Sequence, residues 1–388
     1  MASKSERDGP ATGGVRTEPD DEYLIRRFEP GDRGEFCSLY ESVFDDAATT
    51  EWFDWKYAEN PFVDHVPIFL AERDDRIVGA RPFFALGTCA GDRDILALQP
   101  GDTMVHPEHR RQGLFSRMTE RAIDVYSDHN GDHEPAFFFN FPNGQSRPGY
   151  LSMGWRLVGE TPIYYRIQNP LGMCGLPIDN RVGATLQRLT RPVAAGILDT
   201  VERFASVSTA DVAVERRSDV PGSALAALYR ADVPDRVHAR RDERFYRWRF
   251  ANPRWTYTTY LARRGNDLLG SVVVGDYQGP EGSIRLLVDV LPMGTLANER
   301  QDVFASLLDT VVADSEDADV LGVHAGVPDH DVLTGYGFLS DGSFPLSRFC
   351  EATTLVVRSV GTDEWTLGER DLTDADDWLL SFVERDTA

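Results

Sequence analysis

The chain has 388 residues, enough for two or three domains, and its 41% hydrophobic content can supply real cores. A net charge of −23 argues against nucleic acid and anionic membranes as general partners. No apolar run approaches membrane-spanning length and the polar first twenty residues hold no signal-peptide core, so a cytoplasmic protein without a membrane span is expected.

In chain order, residues 1–20 are rich in Gly, Ser, Asp and Glu and read as a disordered tail. A first domain is expected over 21–168. Tyr23 to Phe28 reads as a strand. Gly31 to Val43 reads as a helix with Phe36, Leu39, Tyr40 and Val43 on one face. Glu51 to Tyr57 reads as a short aromatic helix. Ile68 to Glu72 and Ile77 to Phe84 read as a hairpin turned at Asp74-Asp75. Ile95 to Val105 reads as one strand. After Pro107, Gly113 opens a helical pattern with Leu114, Met118, Ala122 and Val125 on one face. Ala136 to Phe141 is an aromatic strand candidate. The four cysteines, Cys37, Cys89, Cys174 and Cys350, are too scattered for a metal pair or a disulfide framework, and buried thiols in a reducing compartment are expected.

The turn from Val105 to Ser116, Val-His-Pro-Glu-His-Arg-Arg-Gln-Gly-Leu-Phe-Ser, has the chemistry of an anion site. The first backbone N–H groups of a helix lack internal partners, and the helix dipole adds positive potential there. Gly113 permits close approach of a diphosphate, and Arg110 and Arg111 add fixed charge. His106 and His109 flank the turn, but two imidazoles without a third ligand at a telling spacing make a weak metal pair, and no metal is expected.

This segment resembles motif A of the GNAT acyltransferases, Arg/Gln-x-x-Gly-x-Gly/Ala after a strand. Here it reads Arg110-Arg111-Gln112-Gly113-Leu114-Phe115, with Phe115 in place of the final small residue. A second run, residues 143–155, resembles the family's Asn-x-x-Ala/Ser-x-x-x-Tyr-x-x-x-Gly-Phe: Asn143, Ser146, Tyr150, Gly154 and Trp155 fit the spacing. The resemblance implies acetyl-CoA as co-substrate. It implies a pyrophosphate cradle at Arg110, Arg111, Gln112, Gly113, Leu114, Phe115 and Ser116, with backbone contacts at Met104 and Val105. Asn143 and Ser146 would meet the pantetheine arm, and Tyr150 would return a proton to the leaving thiolate. A phenol can do so. Asp102, on the strand before the loop, is the candidate general base.

The chain also echoes itself. Trp52 to Pro61 (Trp-Phe-Asp-Trp-Lys-Tyr-Ala-Glu-Asn-Pro) is matched by Phe245 to Pro253 (Phe-Tyr-Arg-Trp-Arg-Phe-Ala-Asn-Pro). Leu70 to Gly79 is matched by Leu261 to Gly270, and Met153-Gly154-Trp155 by Tyr336-Gly337-Phe338. The expected fold is therefore α/β: two tandem GNAT-like domains, each a mixed, mostly antiparallel sheet flanked by helices. A linker over 169–209 carries a helical pattern from Val182 to Phe204. A degenerate second domain follows over 210–350, with Asn298, Gly326 and Leu333 where Gly113, Asn143 and Tyr150 stand in the first. Residues 351–388 are expected to add a short strand, Thr354 to Val357, and an acidic helix, Asp374 to Val383.

The function expected is transfer of an acetyl group from acetyl-CoA to a primary amine of a small molecule or peptide by direct attack in a ternary complex. A same-fold transferase with another acyl donor, and a non-catalytic acyl-CoA sensor or scaffold, remain as alternatives, and a homo-oligomer is left open. Lysine occurs only at Lys4 and Lys56, and this acidic, lysine-poor balance resembles proteins of halophilic archaea.

Overall fold

The computed structural model describes residues 23–91, 93–127, 135–169, 208–279, 282–348, 350–361 and 364–386. The expected tail over 1–20 and the helical pattern from Val182 to Phe204 lie outside them. The first half runs β1 (Leu24–Arg27), α1 (Arg33–Phe44), α2 (Thr50–Phe53), β2 (Ile68–Arg73), β3 (Arg76–Ala90), β4 (Arg93–Pro100), β5 (Met104–Val105), α3 (Leu114–Ser127), β6 (Pro135–Asn140), α4 (Arg147–Ser152), β7 (Arg156–Glu160) and β8 (Ile163–Ile167). The second runs β9 (Ala213–Arg217), α5 (Gly222–Arg230), β10 (His238–Ala239), α6 (Glu243–Arg249), β11 (Thr256–Arg264), β12 (Asp267–Gly279), β13 (Gly282–Leu291), α7 (Thr295–Glu299), α8 (Gln301–Ala313), β14 (Val320–His324), α9 (His330–Gly335), β15 (Leu339–Ser340) and β16 (Thr354–Ser359).

Two sheets result. One orders β1-β2-β3-β4-β6-β16-β7, with β5 and β10 also bonded to β3; the other orders β9-β11-β12-β13-β14-β8-β15. All pairings are antiparallel except β4 with β6 and β13 with β14, which hold the same place in each sheet. The two orders correspond strand for strand, so the internal echo in the sequence is an echo in structure.

One strand of each half is exchanged. β8 follows the first unit's β7 in sequence but pairs with β14 and β15 of the second sheet. Reciprocally, β16 lies between β6 and β7 of the first sheet. The expected boundary at residue 168 falls just after β8, which lies in the second sheet. Only Thr161 and Pro162 separate β7 from β8. Both favoured two-residue hairpin turns need a positive φ at Thr161, which a β-branched residue resists, and one needs it at Pro162, which proline forbids, so the chain crosses over rather than folding back. Thr161 N–H bonds to Thr353 O (2.8 Å) and Ala325 N–H to Pro162 O (3.0 Å), which fixes both crossings side by side.

The aromatic repeats meet. Trp55 Nε1 donates to Trp248 O and Trp248 Nε1 donates to Trp55 O, each at 2.8 Å, with the rings stacked at 6.1 Å. This is a pseudo-twofold contact between equivalent residues, and it buries both indole N–H groups with partners. α2 continues as a π-helical turn, Asp54–Ala58, which turns Trp55, Lys56 and Tyr57 all inward.

The acidic helix expected from Asp374 to Val383 is absent. That stretch instead holds two single 3₁₀ turns, Ala375–Asp377 and Phe382–Glu384, joined by extended chain. Tertiary bonds override the helical pattern. The fully buried Arg249 donates to the carbonyls of Val383 (3.1 Å), Phe382 (3.3 Å) and Arg385 (2.8 Å). Buried Arg241 pairs with Asp289 (2.9 Å) and Glu384 (3.1 Å), and Glu384 also accepts from Ala239 N–H. The tail is thus pinned between the sheets and ends in a cleft described below.

Candidate active site

β4 and β5 are not the single strand expected from Ile95 to Val105. Pro100 faces Phe83 and Met104 faces Ala80, so four steps on one strand oppose three on β3: a bulge at Gly101, Asp102 and Thr103. Asp102 takes φ +43° there. β4 continues beside β6 in parallel while β5 stays on β3, so a gap opens at the bulge. Such openings at the ends of parallel strands are general ligand positions.

The glycine loop lies directly after β5. Arg110, Arg111, Gln112 and Gly113 are exposed, and Leu114 is buried under α3. Gly113 has φ +73°, and an added Cβ would meet nothing within 4 Å. Any side chain would be strained and would stand in open space, which is the room a diphosphate requires. The first helical rung is Arg117 N–H to Gly113 O, 3.0 Å, so the N–H groups of Leu114, Phe115 and Ser116 precede the ladder. Phe115, the departure from the family pattern, lies edge-on to Tyr150 with ring centroids 5.6 Å apart.

Tyr150 is buried on α4 and packs edge-on against Trp155 at 4.8 Å. Its oxygen accepts from Asn140 Nδ2 (2.6 Å) and from Arg81 Nη2 (3.0 Å). With both acceptor positions taken, the phenolic proton is the one group the oxygen has left to give. Asn143 Oδ1 accepts from Gln145 N–H (3.2 Å), Ser146 N–H (2.9 Å) and Ser146 Oγ (3.0 Å). Asn143 therefore shapes the turn into α4, and any pantetheine contact falls to its Nδ2.

Arg81 was not visible as a site residue. It is wholly buried in β3, bonds Thr103 Oγ1 on the bulge and Tyr150, and lies 4.6 Å over the Phe115 ring. Its Nε has no hydrogen-bond partner, and among the described residues it has no ion pair. The available signal was a lone charge inside the apolar run Ile77 to Phe84.

Asp102 is not a solitary carboxylate. Its Oδ2 accepts from Lys56 Nζ (2.6 Å) and Tyr57 OH (2.5 Å), and Lys56 also reaches Asp386 (3.2 Å). Burial opposes the Lys56 ammonium, but the two carboxylates outweigh it and raise its pKa. Burial, followed by Asp102, pushes the Tyr57 phenol well up, so it stays a donor. Both bonds fall on Oδ2, and Asp102 lines a cleft of about 430 Å³ between the sheets, walled by Tyr40, Trp52, Trp255 and Tyr277.

His106, Glu108 and His109 bring one ligand atom each within 4.8 Å of the others. The sequence reading weighed only the two imidazoles. Of the three only Glu108 is exposed, and His109 Nδ1 is already bonded to Tyr23 OH at 3.1 Å.

The second unit differs at the corresponding loop. There the Asp232 carboxylate accepts from Gly294 N–H (2.9 Å), Leu296 N–H (2.9 Å) and Thr295 Oγ1 (3.1 Å). That carboxylate caps the turn into α7, while the rung matching Arg117 to Gly113 is Phe304 N–H to Arg300 O (3.0 Å), with Asn298, Glu299 and Arg300 in place of the glycine turn. Gly326, in the position of Asn143, has Leu380 O only 2.1 Å from where a Cβ would stand, so the pinned tail covers it.

Residues 24–158 match the family model described as an acetyltransferase (GNAT) domain. No curated protein matches the sequence. Among solved structures, a conserved protein of unknown function from Enterococcus faecalis V583, described as a probable N-acyltransferase, aligns with TM-score 0.59 at 12% identity, over 87% of this chain and 72% of that one. A GCN5-related N-acetyltransferase from Anabaena variabilis ATCC 29413 aligns with TM-score 0.53 at 12% identity, over 87% and 72%. One from Kribbella flavida aligns with TM-score 0.51 at 13% identity, over 87% and 71%. At these identities the likeness is one of fold.

Proposed function

We propose that this chain, which carries a GNAT acetyltransferase domain over residues 24–158, transfers an acetyl group from acetyl-CoA to a primary amine. The observation that carries the reading is Tyr150, a buried phenol whose oxygen already accepts from Asn140 and Arg81. It stands beside a positive-φ glycine loop at the start of a 14-residue helix. Acetyl-CoA supplies the activated thioester when bound. Arg110, Arg111 and the N–H groups from Gly113 to Ser116 hold its diphosphate, Asn143 and Ser146 meet the pantetheine arm, and Met104 or Val105 offers a backbone N–H to the acyl oxygen. The amine enters from the cleft. Its proton goes to Asp102 through Oδ1, the oxygen that Lys56 and Tyr57 leave uncommitted. Tyr150 gives its proton to the departing thiolate.

Calorimetric titration of acetyl-CoA tests this. One acetyl-CoA binds per chain, because Asn298, Glu299 and Arg300 replace the glycine turn in the second unit, and Gly113→Glu abolishes binding. Tyr150→Phe keeps binding and loses turnover against an amine panel. A folded wild type that binds no acetyl-CoA ends the proposal, and unchanged turnover in Tyr150→Phe removes that residue from the mechanism.

A further inference from the structure

The cleft beside Asp102 has a charge balance opposite to that of the whole chain. Lys56, Arg254 and Arg385 line it with Asp102 and Asp386. Lys56 is satisfied by the two carboxylates. Arg254 is satisfied by Asp46 (3.1 Å), Tyr40 OH (3.1 Å) and Ala47 O (2.6 Å). Arg385 is left over. Its Nη1 is buried without a hydrogen-bond partner, and among the described residues its side chain has no ion pair. The carboxylates near it are committed elsewhere: Asp386 to Lys56, and Asp341 to Thr353 and Ile163 N–H.

A second polar group in the same region is also unpartnered. His324, at the end of β14, is 4% exposed, and neither ring nitrogen has a partner. Its ring lies edge-on to Phe382, a wall of the cleft, at 6.2 Å. Burial, then the Arg385 charge, depresses its pKa to about 3, so it is a neutral imidazole with one N–H to donate. The half-buried Arg385 guanidinium has the Phe141 ring beneath it at 4.8 Å but no counter-ion among the described residues, and such a charge is costly unless something supplies a negative one.

Building on the acyl-transfer reading, we propose that Arg385 is the anion-binding group of this cleft, with His324 buried behind Phe382, and that the acceptor is an amine that also carries a carboxylate or phosphate. The amine end faces Asp102, the apolar or aromatic body lies between Trp52, Tyr40, Trp255 and Tyr277, and the anionic end reaches Arg385. This selects amino-acid-like or phosphorylated amines over simple polyamines.

The test needs no turnover. Phenylacetate, phenyl phosphate and phenylacetamide are titrated into the full chain without acetyl-CoA, beside Arg385→Gln, Arg385→Lys and His324→Phe. An anionic probe binds at least about tenfold tighter than the amide, since a bonded charge pair is worth more than a neutral contact. Whichever anion binds more tightly identifies the group. Arg385→Gln removes the difference, Arg385→Lys keeps part of it, and His324→Phe, behind the cleft wall, leaves it. Equal binding of anions and amide, no binding of any probe, or an undiminished preference in folded Arg385→Gln overturns the proposal. If Arg385→Gln does not fold, an undiminished preference in Arg385→Lys overturns it instead. Failure of acetyl-CoA to bind would end the acyl-transfer reading but leave this measurement unaffected.

Discussion

Replacing Arg81 with methionine separates chemistry from stability. The guanidinium bonds Tyr150 OH at 3.0 Å and Thr103, and it has no carboxylate among the described residues. As Tyr150 passes its proton to the thiolate, its oxygen gains negative charge, and the Arg81 bond strengthens. Charge-assisted hydrogen bonds contribute about 1.5–3 kcal/mol, so losing this one slows kcat roughly 10- to 150-fold. KM for acetyl-CoA changes little, because Arg81 lies at the phenol and not at the diphosphate loop. Stability moves differently. The exchange removes the cost of a buried charge but loses two charge-assisted bonds of about 1.5–3 kcal/mol each, so stability holds or falls modestly. Measured well below the melting temperature, kcat falls by more than any unfolded fraction accounts for. Steady-state kinetics with a thermal melt reads both quantities, and Arg81→Lys retains part of the rate. An unchanged kcat, or a kcat loss that only follows a falling melting temperature, refutes the argument.

Three further outcomes follow from charge. Arg241→Met strands Asp289 and Glu384, which are 1% and 2% exposed, and costs about 3–5 kcal/mol in urea unfolding; a loss below about 1 kcal/mol contradicts the pinning of the tail. Burial, followed by Arg241, holds His238 down to about 4, and burial holds His324 at about 3. The unfolded chain binds these protons near pH 6.5 and the folded chain does not, so stability is present above about pH 6.5 and falls as pH drops towards 4 and 3. The limits are roughly 3 and 5 kcal/mol, and His324→Phe flattens the acid limb; an unaltered limb in that variant removes His324 from it. Finally, salt screens the self-repulsion behind a net charge of −23, so unfolding free energy rises with KCl towards molar concentrations, and a flat or falling dependence contradicts this.

Legibility in the sequence followed the range of the interaction. The glycine loop, the face of α3 and the placement of Tyr150 on a short helix are set by neighbours a few residues apart, and spacing reports those. The repeat was legible because similar strings recur in order, and the matching strand orders carry it into space. Three features were not. The exchange of β8 and β16 depends on which of two equivalent sheets accepts a strand, and Thr354 to Ser359 suits either; only the stiffness of Thr161-Pro162 hinted at a crossing. The tail from Asp374 has helical spacing, but three backbone carbonyls bound to Arg249, more than a hundred residues earlier, outweigh that preference. Asp102 was visible as a strand-end acid, yet its partners Lys56, Tyr57 and Asp386 come from a π-helical turn and the far end of the chain. The chemistry proposed for this site depends on that convergence. Lys56 and Tyr57 both bond Oδ2, so the proposed transfer depends on Oδ1 alone and on an amine that reaches the cleft as its free base. Rates that climb with pH in parallel with the free-base fraction of the acceptor are expected; a limb that follows an enzyme group near pH 7 would assign the proton to another residue.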